Sequence, residues 1–121
     1  MRGYIYLMFK VYLISANYPD SQYYKIGWTK RDPIKRLKEL KTGNSQELEL
    51  VDVFESKWGP RIESNLHKFF KENRCEGEWF KLESDQVHQF RELCERNHNI
   101  FELMEKENSW FRESKEFSKY I

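Results

Sequence analysis

Residues 3–14 read GYIYLMFKVYLI, a run of aromatic and branched side chains broken only by Lys10. Side chains this bulky favour an extended, pleated backbone, so the run predicts a strand. It is too short to cross a membrane, which takes about 18 apolar residues. The Asn17-Tyr18-Pro19 that follows does not look like a signal-peptide cleavage site. Ser15 to Gln22 holds Asn17, Pro19 and Asp20, the residues of a turn. YYKIGW at 23–28 then gives a second strand, and the pair closes most simply into a hairpin. Gly27 inside that strand weakens it and signals a bulge or a close backbone approach.

Asp32-Pro33 marks a helix start, with Pro33 suited to the first helical position. Ile34, Leu37 and Leu40 form its apolar stripe, and Thr42-Gly43-Asn44 ends it. LELVDVF at 48–54 alternates as a third strand. Gly59-Pro60 opens a helix whose apolar face is Ile62, Leu66, Phe69 and Phe70. Cys75-Glu76-Gly77-Glu78 breaks the pattern, and Trp79 to Leu82 is a short extended segment. Ser84 and Asp85 can cap a long last helix, with Val87, Phe90, Cys94, Phe101 and Met104 as its buried stripe and Leu93 and Ile100 widening it. Beyond Lys106 the pattern decays, and Trp110, Phe111, Phe117 and Tyr120 could dock a tail or form a dimer contact. The order β-β-α-β-α-(β)-α describes an α+β domain with an antiparallel sheet. We divide it into a core, 1–83, and a C-terminal helical extension, 84–121, packed on the core or used for dimerisation.

The 121 residues suit one compact domain. Nine Phe, seven Tyr and four Trp can fill a core and argue against disorder, and five Gly with three Pro exclude collagen-like or linker chains. Two cysteines allow one disulfide at most and form no metal-ligand cluster, so a reducing cytoplasm and no membrane are the expected setting. The net charge of +1 says little, but its distribution is uneven. Residues 1–74 hold 14 Lys and Arg against 9 Asp and Glu, and the remainder 7 against 11. Lys25, Lys30, Arg31, Lys35, Arg36, Lys38 and Lys41, countered by Asp32 and Glu39, could attract phosphate or simply solvate a helix face.

Three groups of residues look chemical. Tyr4 and Tyr6 share one face of the first strand, and Tyr23 and Lys25 share one face of the second. The hairpin could place a phenol beside an ammonium and so favour a general base, or the tyrosines could only pack the sheet. Arg36, facing away from Ile34 and Leu37, could clamp a phosphate or be an ordinary surface arginine. Glu63 and His67, one helical turn apart, could hold Mg2+ through one carboxylate oxygen and orient water, or form a plain surface pair. GxSxG, GxxxxGK[ST], HExxH and CxxC are all missing. Mg2+-assisted phosphodiester hydrolysis is the reaction these residue types could serve together.

The order of Tyr4-Ile5-Tyr6-Leu7, Tyr24-Lys25-Ile26-Gly27-Trp28-Thr29, Arg36-Leu37-Lys38, Ile62 to Phe70 and Gly77-Glu78-Trp79-Phe80 resembles the GIY-YIG nuclease superfamily, in its T5orf172 or Mug113-like branch. The resemblance implies a small three-stranded antiparallel sheet flanked by helices. It also implies Tyr6 near or acting as the general base, Arg36 as the family arginine and Glu63 as the metal ligand. Lys25 stands where the name-giving motif usually has tyrosine, and His67 matches a histidine recurrent in the branch. The implied function is a Mg2+-dependent endonuclease, with Mn2+ as a substitute, acting on double-stranded DNA. In that scheme Tyr6, helped by Lys25, deprotonates water, and Arg36 stabilises the growing charge. The alternatives are a nucleic-acid-binding module of the same fold that cleaves poorly, and a structural domain whose acidic C-terminal region binds protein or a second copy.

Overall fold

The computed structural model describes residues 8–42 and 47–119, with side chains up to residue 108. Strand β1 is Phe9–Asn17, β2 Gln22–Thr29, helix α1 Pro33–Lys41, β3 Glu47–Ser56 and α2 Gly59–Phe69. A single 3-10 turn, Lys71–Asn73, leads into β4 Arg74–Glu76 and β5 Trp79–Phe80, and α3 spans Ser84–Lys119. The first strand runs three residues beyond its expected end because the reversal needs only Tyr18 to Ser21, closed by Tyr18 N–H donating to the Ser21 carbonyl at 2.9 Å. Tyr4 and Tyr6 lie outside the described residues. Helix α1 starts as the sequence implies, with the Asp32 carboxylate accepting the Ile34 N–H and Pro33 following it.

The sheet has five antiparallel strands rather than three, in the order β3-β1-β2-β5-β4. Of the two extra strands, β4 comes from the segment read as a helix break and β5 from the short extended segment expected at 79–82. Gly77 adopts φ +57°, a left-handed conformation that glycine enters without Cβ strain, and it turns β4 back along β5. The hairpin then docks on the open edge of β2 through Tyr24 opposite Phe80 and Lys25 opposite Trp79.

Alternation along β1 and β2 loads both sheet faces. Val11, Leu13, Tyr24 and Ile26 meet Ile62, Leu66 and Phe70 of α2 and Phe90, Leu93, Cys94 and Phe101 of α3. Tyr12, Ile14, Ala16 and Leu48 meet Leu37 of α1 on the other face. Four residues expected on buried stripes are exposed instead, Ile34, Phe69, Ile100 and Met104. Phe70 already closes the end of α2 over the sheet, so Phe69 projects to the other side. Polar pairs fix the rest of α3: Arg91 grips Asp52 of β3 at 2.7 and 3.2 Å, His98 shares a 2.7 Å hydrogen bond with the buried Ser56 hydroxyl, and Asn65 of α2 donates to Asn97. The start of α3 is capped by Gln86, whose side-chain oxygen accepts the Glu83 N–H at 2.8 Å. No helix among the described residues is long and apolar enough to cross a membrane.

Candidate functional site

Tyr12 belongs to β1 and points to the α1 face, directly opposite Gly27 on β2. Its ring lies over that glycine so closely that a Cβ there would stand 2.6 Å from Tyr12 Cζ. Gly27 therefore marks a close approach and not a bulge, and the β1–β2 register passes it unbroken. The glycine lets the phenol lie flat against the strand with its hydroxyl near α1. There Arg36 Nε–H donates to the Tyr12 oxygen, at a long 3.5 Å. Burial raises the pKa of the Tyr12 phenol, Arg36 partly opposes the rise, and Glu78 and Glu63 add to it. Arg36 itself is held above its ordinary value, mainly by its hydrogen bond to Tyr12, and its Nη1 also pairs with Glu39 at 3.3 Å.

Lys25 is only 8% exposed, and its Nζ meets Glu78 at 2.8 Å and lies 5.5 Å above the Trp79 ring. The cation bonded to the described phenol is thus Arg36, while the partner of Lys25 is a carboxylate of the β4–β5 turn. Strand β5 has two residues, so beyond Lys25 the edge of β2 runs out of strand partner. His67 of α2 fills that gap. Its Nε2–H donates to the Ile26 carbonyl at 2.7 Å, which fixes the proton on Nε2, and its ring meets Phe80 edge-on. Glu63, one turn earlier, lies 3.4 Å from the same nitrogen, and its side chain is 12% exposed. Burial raises the Glu63 pKa, with His67, Lys25 and Arg74 opposing and Glu78 reinforcing the rise. Glu63 and Glu78 both act on Tyr12, so α2, the β4–β5 turn and β1 converge on one electrostatic neighbourhood.

Residues 3–95 match the T5orf172 domain, about three quarters of the chain. The chain belongs to the T5orf172 domain family. That family is part of the GIY-YIG-associated nuclease superfamily. No curated protein and no solved structure matches the chain. The T5orf172 match contains every residue named at the site and ends inside α3, one residue past Cys94.

Lys25, Arg36, Glu63 and His67 are described in this neighbourhood, and Tyr6 lies outside the described residues. The phenol found there is Tyr12, six residues later in the same run. One signal in the sequence points to it: counting back across the turn at Tyr18 to Ser21 puts Tyr12 opposite Gly27, the glycine that demands an explanation. Among the described residues no group of three or more His, Cys, Asp or Glu side chains could hold a metal ion. A closed protein cage therefore does not fit. A hard cation held by one carboxylate, with water and a phosphate completing its shell, does fit Glu63, a largely buried side chain whose charged form burial disfavours. His67 does not serve as a second ligand through Nε2, which is committed to Ile26.

Proposed function

We propose that this T5orf172 domain binds a phosphodiester of double-stranded DNA between Tyr12, Arg36 and Glu63, and that the same cleft hydrolyses it when Mg2+ or Mn2+ is supplied. The observation that supports this reading is the bond between Arg36 and Tyr12 within the field of Glu63. A guanidinium has five donors, so Arg36 can keep Tyr12 and Glu39 and still bind a non-bridging phosphate oxygen, more strongly as charge grows there. The ionised Tyr12 phenol takes the proton of the attacking water. Burial keeps that phenol protonated at neutral pH, so turnover is slow and rises with pH. His67 holds the end of α2 against β2 and keeps Glu63 facing the cleft. Mg2+ bound at Glu63 would supply neutralisation of charge on the phosphate oxygens.

A second reading shares the binding and stops there: a DNA-binding module that cleaves poorly. The single carboxylate favours it, as do the ion pairs that already occupy Lys25 and Arg36. A supercoiled plasmid incubated with Mg2+ or with EDTA separates the two. Hydrolysis predicts nicking with Mg2+ only, abolished by Glu63→Ala and reduced at least about 100-fold by Tyr12→Phe, while gel-shift affinity in EDTA is kept. Binding without nicking, in wild type and variants alike, assigns the binding module. Absence of both defeats either reading.

A further inference from the structure

Glu63 has a second side. Away from Tyr12 it forms one wall of a groove completed by Ser64, His67, Lys68, Lys71 and Arg74. The three cations come from three successive elements, the last turn of α2, the 3-10 turn and β4. All are exposed at the surface. Arg74 is steadied by its Nε–H donating to the Gly77 carbonyl, and its charge reaches Glu63 and counters the rise in its pKa.

Many of the cations elsewhere around the fold are held in ion pairs. Arg31 and Arg36 share Glu39, Lys25 takes Glu78, Arg91 takes Asp52, and Lys57 spans Glu102 and Glu105. Among the described residues Lys68 and Lys71 have no ion-pair or hydrogen-bond partner. A plainer role exists for Lys68, since a cation in the last turn of a helix is favoured by the helix dipole. That role does not extend to Lys71 and Arg74, which follow the Phe70 cap.

The Lys68–Lys71–Arg74 set thus shares a groove with Glu63, while Arg36 sits on the Tyr12 hydroxyl, whose pKa Glu63 helps to raise. A nucleic-acid strand offers a phosphate on either side of any given one. We infer that the groove is a second phosphate-binding site, in which Lys68, Lys71 and Arg74 hold the backbone phosphate neighbouring the one bound by Tyr12 and Arg36. The strand then passes over Glu63 between the two cation sets. The inference rests on the DNA-binding reading of the cleft and adds the direction in which the strand leaves it.

Fluorescence anisotropy of a labelled DNA duplex, in EDTA and across 50–200 mM salt, tests it for the full chain, for K68A/K71A and K68Q/K71Q, and for R96A/K106A on α3 as comparator. Each lysine that neutralises a phosphate contributes about 0.9 to the slope of log affinity against log salt. Both groove variants should therefore bind more weakly, with the slope shallower by about 1.8, while R96A/K106A keeps the wild-type slope. Wild-type binding with an unchanged slope in folded groove variants overturns the second site and leaves the cleft reading standing. A lowered melting temperature with an unchanged slope assigns the lysines to the helix end and also overturns it. A wild-type chain that does not bind the duplex removes both.

Discussion

Tyr12 can approach α1 only because residue 27 has no side chain. In Gly27→Ala the new methyl would overlap the Tyr12 ring, which is itself buried and has nowhere to move. Such overpacking costs about 1–3 kcal/mol, and chemical denaturation should show a loss in that range, joined, on the proposed function, by lost nicking. Glu63 gives a prediction of the opposite sign. Its pKa is raised in the folded protein, so its contribution to stability is fully present below the ordinary carboxylate value and is lost as pH rises through the raised one. Glu63→Gln should therefore melt higher than wild type at pH 7, with the gap closing toward pH 4, while the proposed function predicts that it loses metal-dependent cleavage. Equal melting temperatures at pH 7 would show that His67, Lys25 and Arg74 already compensate the carboxylate. At this scale Arg36, Glu63 and His67 were visible in the sequence as residue types at suggestive spacings, whereas the hydroxyl beside Arg36 was not. Several tyrosines in one strand look alike until register says which of them faces a glycine.

The element that most shapes the cleft is the smallest. The β4–β5 hairpin supplies Glu78 to Lys25 and Trp79 beneath its ammonium, and by ending after two residues it leaves the Ile26 carbonyl to His67. Its turn depends on Gly77 at φ +57°. Gly77→Val should cost about 1–2 kcal/mol or more, and Gly77→Asn, which tolerates this conformation, should cost less. Thermal melts of the two variants make the comparison, and equal losses would mean that the turn does not set the hairpin. The sequence at 75–78 is rich in charge and holds one glycine, so as a local pattern it reads as a helix break. It becomes an edge strand because β2 offers unpaired backbone groups that a short extended segment can satisfy.

On the scale of the whole molecule, α3 closes the face of the sheet opposite α1. Phe90, Leu93, Cys94 and Phe101 join the same apolar cluster as β1, β2 and α2, and burial raises the Cys94 thiol pKa to about 12, so it is inert packing. Phe101→Ala should cost about 3–5 kcal/mol by urea denaturation, as a core truncation does, and a loss below 1 kcal/mol would mean the helix rests on the domain without completing it. Residue 101 lies past the T5orf172 match, which makes it a test of how far the folding unit extends beyond residue 95. The sequence by itself determined the order of the main strands and helices, the α+β class and the start of α1 at Asp32-Pro33. Each of these is written in local spacing, capping or alternation. Tertiary structure decided which tyrosine meets Arg36, that Lys25 pairs with Glu78, that the sheet gains β4 and β5, and that Ile34, Phe69, Ile100 and Met104 stay outside. Those outcomes depend on strand register and on which edge or face is left open, and contacts between distant segments set both.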